Sequence, residues 1–372
     1  MKNYFNKLHY ETDLALEDRL ILPFLLVFSC FYALISKIRN FFYRSGLLKQ
    51  NKLKAFVISV GNLTTGGTGK TPITVEIANY ISDKLQKNIA VLSRGYGGKL
   101  SVSDVNIISN GKNIFYSAHM SGDEPYWMAV NSKNVPIITG KNRYESGLKA
   151  MEEFNSEILI LDDGFQHLKL KRDLNLLVID CNLKFGNGYL LPAGPLRESL
   201  AEIKRADKII LVNKKSLDNS SKQICENFAK NLENTYKKPV FCCNFTNKGI
   251  FCIKTSQELA LNSTVFAFAG IARPEYFFEY LSQTGHNLVK TRVFNDHHLY
   301  TKDDIQNIIR EAKMIGANAI VTTEKDAVKL KALLEETSFG LDFYALKLGI
   351  DLDLEKLLEV AVSPNLCPRP KH

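Results

Sequence analysis

Residues 55–71 read AFVISVGNLTTGGTGKT, an apolar run followed by a glycine-rich turn that ends in Lys70 and Thr71. A segment of helical character, residues 73–85, comes next. A strand, such a turn and a helix together form the layout that cradles nucleotide phosphates, because backbone N–H groups and the positive helix end face the anion. The lysine adds a fixed positive charge, and the threonine hydroxyl can bind Mg²⁺. The predicted nucleotide-binding residues are Thr64, Thr65, Gly66, Gly67, Thr68, Gly69, Lys70 and Thr71.

The turn departs from the usual spacing at one position, because Thr64 stands where the motif G-x-x-x-x-G-K-[ST] has its first glycine. A chance glycine-rich turn between a strand and a helix is therefore an alternative. The ending Gly69-Lys70-Thr71 and the flanking pattern favour the phosphate site.

Composition indicates a folded protein with an anionic partner. The chain has 372 residues, 45% of them hydrophobic and 23% charged, and a net charge of +9. Nucleic acid, an anionic membrane surface and a phosphorylated substrate all fit that charge. The seven cysteines are odd in number and lack C-x-x-C spacing, so the sequence indicates neither a disulfide framework nor a zinc site.

Apolar strands alternate with helical segments from residue 54 onward, which predicts a mostly parallel α/β sheet with helices on both faces, as in P-loop NTPases. Residues 219–238 are polar and lysine-rich and mark a predicted boundary. We expect an N-terminal helical segment (1–50), a P-loop domain (51–218) and a smaller α/β domain (219–372). The first predicted strands are 55–60, 89–93, 135–138, 158–161, 176–179 and 208–213, and strand 239–245 opens the second unit.

Residues 20–35 are almost wholly apolar, and lysines, arginines and aromatic residues follow them. Sixteen helical residues reach about 24 Å, less than the roughly 30 Å hydrocarbon core of a bilayer. Acidic residues before the run argue against a signal peptide. We expect a helix that lies in or dips into the membrane, with a buried core helix as the alternative.

Two acids end the predicted strand 158–161. Carboxylates at the carboxyl end of a buried strand beside a phosphate turn can hold Mg²⁺ directly or through water. Asp162 and Asp163, with Thr71, are therefore the predicted metal ligands. A plain turn at Asp162-Asp163-Gly164 is the alternative.

Further polar motifs follow other predicted strands and loops. Arg94, on a glycine-rich loop, could contact the transferred phosphate or an acidic substrate. Asp123 and Glu124 precede Pro125, where they could cap a helix or supply a base. His297 could pair with a carboxylate or be an ordinary loop residue.

The order of these motifs resembles the tetraacyldisaccharide 4′-kinase family. The most specific strings are DDGFQH at 162–167 and LPAGPLRE at 191–198. They are accompanied by GNLTTGGTGKTP at 61–72, SRGYG at 93–97, GDEP at 122–125, DHH at 296–298 and TEKD at 323–326. The family also lacks glycine at the position of Thr64, so that departure does not count against nucleotide binding.

The resemblance implies a kinase that moves the γ-phosphoryl group of ATP, with Mg²⁺, to the 4′-hydroxyl of a tetraacyldisaccharide 1-phosphate. It implies a catalytic role for Asp123 with a histidine that aligns with His297 or, one residue away, His298. Lys70 and Arg94 complete the predicted catalytic set. The predicted substrate-binding residues are Glu124, Arg197 and Glu198.

An acylated substrate implies that the enzyme acts at the cytoplasmic face of the inner membrane. Its expected partners are membrane lipids, and no nucleic acid is expected to bind. The alternative from another class is a membrane-bound nucleotide switch, an ATPase or GTPase that phosphorylates nothing. Such a protein would have an Asp-x-x-Gly turn where this chain has Asp162-Asp163-Gly164-Phe165. The string Val212-Asn213-Lys214-Lys215 matches only part of the Asn-Lys-x-Asp motif that recognises guanine.

Overall fold

The computed structural model describes residues 7–11, 15–95, 97–215, 219–335 and 340–362; the tail from Pro364, which the sequence predicts to be frayed, lies outside them. Twelve strands of this described part form one sheet. In chain order they are β1 (Phe56–Gly61), β2 (Ile89–Ser93), β3 (Asn106–Asn110), β4 (Pro136–Thr139), β5 (Ile158–Asp162), β6 (Leu174–Asp180), β7 (Lys208–Asn213), β8 (Val240–Cys252), β9 (Thr264–Ala269), β10 (Asn287–Val293), β11 (Ala319–Thr323) and β12 (Phe343–Asp351).

Helices connect most of these strands, and a 3-10 helix spans Leu200–Arg205. After a helical stretch at residues 7–10, the α-helices of the described residues are, in chain order, α1 (Leu16–Arg44), α2 (Lys70–Asp83), α3 (Ala118–Ser121), α4 (Asp123–Asn131), α5 (Arg143–Phe154), α6 (Asn219–Tyr236), α7 (Pro274–Ser282), α8 (Lys302–Met314), α9 (Glu324–Glu335) and α10 (Leu354–Val362).

The strand order across the sheet is β10-β9-β11-β12-β8-β7-β6-β1-β5-β2-β4-β3. Neighbours are parallel except at two places, β12 beside β8 and β3 beside β4. Strands β2 and β5 are buried at every position, as expected where helices cover both faces of a parallel sheet. The predicted fold class, a mostly parallel α/β sheet with an apolar N-terminal helix, is confirmed.

Strand β8 joins two halves of the sheet, an N-terminal half with β1 to β7 and a C-terminal half with β9 to β12. Its first residues pair in parallel with β7, and the stretch from Asn244 to Cys252 pairs antiparallel with β12. The strand is thus much longer than the predicted 239–245. Because β12 runs back toward Asn244, the carboxyl ends of β9, β11 and β12 point toward the carboxyl ends of β1 and its neighbours. The sheet is continuous through the predicted boundary, and the division into three parts remains a prediction.

The sequence did not predict strand β3. Asn106, Ser109 and Asn110 make it polar, and it pairs antiparallel at the edge of the sheet. Edge strands with one neighbour can carry polar residues that a central parallel strand excludes. The apolar runs that identified the other strands are therefore missing here.

Helix α1 is longer than the predicted residues 20–35. Its 29 residues reach about 43 Å at 1.5 Å per residue, so by length and composition the helix could cross a membrane. The most apolar 18-residue window is only 6% buried. The alternative of a buried core helix is therefore wrong.

The two sides of α1 are reversed relative to an ordinary surface helix. Phe24, Phe28 and Phe31 are 72%, 63% and 63% exposed. The buried positions of the helix are polar, namely Asp18, Ser29, Ser36 and Asn40. A surface helix of a globular protein turns its apolar side inward, so α1 presents its apolar side to something outside this chain.

Candidate active site

The phosphate turn connects β1 to α2 at the carboxyl edge of the sheet. Gly66 and Gly69 have φ values of 102° and 90°, a region that residues with a Cβ rarely occupy. The Nδ2 atom of Asn62 donates to the Thr64 carbonyl at 2.6 Å and to the Thr68 hydroxyl at 3.0 Å. These bonds brace the turn from inside, and α2 begins at Lys70. All eight predicted nucleotide-binding residues, 64–71, lie in this turn and the first residues of the helix.

The two predicted metal-site acids end β5, the strand beside β1. Burial raises the pKa of Asp162 to about 7, and the negative charges of Glu124 and Asp163 act in the same direction. Asp163 differs, because Lys70 at 3.5 Å and a two-pronged contact from Arg197 at 2.8 and 2.9 Å outweigh its burial. These cations hold the pKa of Asp163 at about 2.

Asp162 and Asp163 suit an Mg²⁺ ion that is also bound by the phosphates of a nucleotide. Within the described residues no group of three or more His, Cys, Asp or Glu side chains forms a metal cage. Mg²⁺ is commonly held by one or two carboxylates together with substrate phosphates, so Asp162 and Asp163 beside the turn fit it. The hydroxyl of Thr74 donates to Asp162 at 3.2 Å, a neighbour that the sequence had not singled out.

The structure brings Asp123 and His297 together. Asp123 opens α4 after Gly122, and His297 lies in the loop after β10, with its Nδ1 atom 3.2 Å from Asp123 Oδ2. His298 instead contacts Asp304 at 3.1 Å. Of the two histidines between which the sequence could not choose, His297 is thus the one in contact with Asp123.

Lys329 of α9 is a neighbour of Asp123 that the sequence analysis missed. Its side chain is 4% exposed, and its Nζ atom lies 3.2 Å from Asp123 and 3.0 Å from Asp326. Burial opposes ionisation of Asp123, but His297 and Lys329 together lower its pKa. The signal in the sequence that could have pointed to Lys329 is the TEKD string at 323–326, because the helix that begins in this string carries Lys329 one turn further on.

The string at 323–326 also connects the C-terminal half to α4. Lys325 contacts Glu124 at 2.9 Å. Burial opposes ionisation of Glu124, and the positive charge of Lys325 lowers the pKa of that carboxyl. Asp326 accepts a hydrogen bond from the Gly270 N–H at 2.8 Å. The structure thus gives contacts to a motif whose role the sequence left open.

A cleft of about 570 Å³ opens beside the phosphate turn and extends to the end of α1. Three of the predicted residues, Arg94, Glu124 and Arg197, line it with both metal-site acids. Most of the other lining side chains are basic or polar, namely Arg39, Tyr43, Ser93, Lys141, Arg143, Gln166, His167 and Lys169. The cleft therefore suits an anionic or sugar-like ligand near the apolar helix.

Glu198 does not line this cleft, although the sequence analysis assigned it to substrate binding. Its side chain is fully buried, and its carboxylate contacts Arg39 at 2.6 Å and Arg205 at 2.5 Å. Asn40 also donates to it at 3.1 Å. These contacts fit an anchor for α1 better than a ligand contact, because buried charges need such partners.

Comparison with known proteins decides the family. A family model described as tetraacyldisaccharide-1-P 4′-kinase matches residues 21–363, which is most of the chain. The chain belongs to this family. The resemblance found in the sequence is thereby confirmed.

Individual members of the tetraacyldisaccharide-1-P 4′-kinase family align over nearly the whole chain. The tetraacyldisaccharide 4′-kinase of Desulfotalea psychrophila is 42% identical over 314 residues, 83% of this chain and 88% of that protein. The one from Halothermothrix orenii is 34% identical over 357 residues, 92% of each chain.

A solved structure of the family carries a nucleotide. The crystal structure of LpxK from Aquifex aeolicus in complex with ATP has a TM-score of 0.70 and 32% identity, and it covers 93% of this chain and 99% of that one. Together these findings establish an ATP-dependent phosphotransferase of the 4′-kinase family, with an alcohol group as acceptor.

Proposed function

We propose that the protein transfers the γ-phosphoryl group of ATP to the 4′-hydroxyl of a tetraacyldisaccharide 1-phosphate, at the cytoplasmic face of the inner membrane. The observation that carries this proposal is the contact of His297 with Asp123, beside a phosphate turn and beside a cleft that reaches the apolar helix. Family membership supports the substrate class.

In this proposal His297 is the proton acceptor and Asp123 orients it. With Nδ1 protonated, His297 donates to Asp123, and Nε2 is then able to accept the proton of the 4′-hydroxyl. His297 and Lys329 lower the pKa of Asp123 and so favour its ionised form. As the hydroxyl oxygen bonds to the γ-phosphorus, the bond to the β-phosphate oxygen breaks and ADP leaves.

Cations around the turn offset the negative charge of the transferred group. Lys70 opens α2 at the turn, while Arg94 and Arg197 line the cleft. Phosphoryl transfer depends mainly on such positioning and charge stabilisation. Thr71, Asp162 and Asp163 would hold Mg²⁺, which supplies further charge neutralisation for the phosphates. Glu124 and Arg197 are the cleft residues proposed to contact the acceptor.

The membrane location rests on α1 and on the nature of the acceptor. A disaccharide with four acyl chains stays in the bilayer, so the enzyme must reach the membrane surface. The exposed apolar side of α1 can enter the hydrocarbon region, and basic residues that follow the apolar run 20–35 can contact anionic headgroups. Whether α1 spans the bilayer or lies in its surface makes no difference to this role.

The experiment measures transfer of labelled γ-phosphate from ATP to a tetraacyldisaccharide 1-phosphate in detergent micelles. His297→Ala and Asp123→Asn should each lower kcat by about 100-fold or more, the range of general acid–base effects. Their double variant should lose little beyond the worse single variant, because the two residues act as one unit. His298→Ala is the matched control and should retain most activity.

Two results would contradict the proposal. One is hydrolysis of ATP by the wild-type protein without labelled lipid, which would favour the nucleotide switch. The other is equal loss of activity in the His298 and His297 variants, which would remove the special role of the Asp123 contact.

A further inference from the structure

A loop of the C-terminal half, residues 270–273, runs along the phosphate turn. At one end the Gly270 carbonyl accepts a hydrogen bond from the His297 N–H at 3.1 Å. In the middle, a Cβ built on Gly67 would lie 4.0 Å from that of Ala272. Arg273 follows at the far end, just before α7 begins at Pro274. The loop thus extends from the proposed proton acceptor to the backbone of the turn.

Arg273 is attached to the turn through Tyr10. The guanidinium of Arg273 lies 4.5 Å from the centre of the Tyr10 ring, and the Tyr10 hydroxyl donates to the Thr65 carbonyl at 3.0 Å. Segment 7–11, which precedes α1, therefore bridges the turn and the C-terminal half. Aromatic stacking of this kind orients the planar guanidinium without neutralising its charge.

The charge of Arg273 has little compensation. Its side chain is 17% exposed, its Nη2 atom is buried without a hydrogen-bond partner, and the nearest acid is Glu275 at 3.3 Å, which is itself 55% exposed. Lys214, a second cation at the turn, is different. It contacts the Gly67 carbonyl and is paired at 2.8 Å with the buried carboxylate of Asp180.

A guanidinium whose buried Nη2 atom has no hydrogen-bond acceptor carries an energetic cost that an anion would relieve. The anion that belongs at this turn is the polyphosphate of the nucleotide. We infer that Arg273 is a further phosphate ligand, supplied to ATP by the C-terminal half and held in place by Tyr10. The inference rests on the proposed function only in that ATP binds at the turn, and it does not depend on the lipid acceptor.

The test measures binding of ATP and of inorganic tripolyphosphate to the full-length protein in detergent micelles. Tripolyphosphate carries the phosphate chain without the nucleoside. Arg273→Ala should weaken both ligands by about tenfold or more, and Arg273→Lys should recover part of the loss. Raising the salt concentration should narrow the difference from wild type, because the lost contact is ionic.

Arg292→Ala is a matched control. Arg292 also lies over an aromatic ring, that of Phe294 at 4.9 Å, and is paired with Glu311 at 2.8 Å, but it belongs to β10. This variant should bind both ligands like wild type. Tyr10→Phe keeps the ring under Arg273 and removes the hydroxyl that donates to Thr65, so it should weaken tripolyphosphate binding less than Arg273→Ala.

Unchanged tripolyphosphate affinity in Arg273→Ala would overturn the inference. If ATP affinity alone fell, Arg273 would be a nucleoside contact, which also overturns it. Should Arg273→Ala fail to fold, Arg273→Gln and Arg273→Lys can be compared, and equal affinities in those two would overturn the inference. Absence of lipid phosphorylation in the wild type would contradict the proposed function but leave this binding test intact.

Discussion

Arg39 of the apolar helix places its Nη2 atom 2.6 Å from Oε1 of Glu198, whose side chain is fully buried. Arg205 approaches the other carboxylate oxygen at 2.5 Å. Glu198 directly follows Arg197, the residue that holds Asp163 at the phosphate site. The helix expected at the membrane is therefore joined by an ion pair to the loop that shapes the catalytic cleft.

Glu198→Gln should lower the free energy of unfolding by about 3 kcal/mol, because it leaves Arg205 largely buried beside a neutral group. Chemical denaturation checks this. The control is Glu157→Gln, whose pair with Lys87 spans 3.8 Å between half-exposed side chains and should contribute less than about 1 kcal/mol. A stable Glu198→Gln protein with a raised KM for lipid would instead support the predicted substrate contact.

Lys329→Met should lower kcat for phosphoryl transfer by about tenfold and change its pH dependence. Removing a cation 3.2 Å from Asp123 raises the pKa of that carboxyl. As the pH falls, Asp123 is then protonated at a higher pH than in wild type, so the acid limb of the pH–rate profile should shift to higher pH. Lys331→Met, at an exposed position of the same helix, should leave the profile unchanged. A fall in kcat without movement of the acid limb would contradict this account.

Replacing Phe24, Phe28 and Phe31 together by Gln should weaken binding to lipid vesicles by about 100-fold or more. Each exposed phenylalanine that enters the bilayer contributes on the order of 1.5–3 kcal/mol. Co-sedimentation with anionic vesicles measures the loss, while ATP binding should stay normal. Phe115→Gln, at another exposed aromatic position (53%), is the control. Equal vesicle binding by the triple variant and wild type would show that the apolar side faces another partner.

His167→Gln should make the protein less sensitive to acid. Burial and the positive charges of Arg143 and Arg172 lower the pKa of His167 to about 4, against 6.5 for a free histidine. Between those values the unfolded chain binds more protons, so stability falls as pH drops from about 6.5 to 4, by up to about 3 kcal/mol. Thermal unfolding at pH 7 and 4.5 should show a smaller loss in the variant.

The control for this pH effect is His119→Gln, because His119 is exposed. The stability of the His119→Gln protein should fall with decreasing pH as in wild type. Parallel pH curves for His167→Gln and wild type would show that burial of His167 does not contribute to acid unfolding.

The sequence by itself determined the phosphate turn, the parallel sheet and the acids at the end of β5. Those features depend on local patterns: apolar runs of strand length, and glycines that allow positive φ at Gly66 and Gly69. It also singled out Asp123 and His297 as candidates, but their joint role came only from resemblance to a family, which left His298 as an alternative. No local rule connects residues that are 174 positions apart.

Only the tertiary structure decided which distant side chains meet. The antiparallel pairing of β12 with β8 turns the C-terminal strands so that their ends face the phosphate turn. That pairing brings Lys329 to Asp123, His297 rather than His298 to the same carboxylate, and Arg273 to the turn. The burial of Glu198 under α1 was also visible only in the tertiary structure. Burial and charge pairing are properties of the assembled fold, and no periodic pattern in the sequence predicts them.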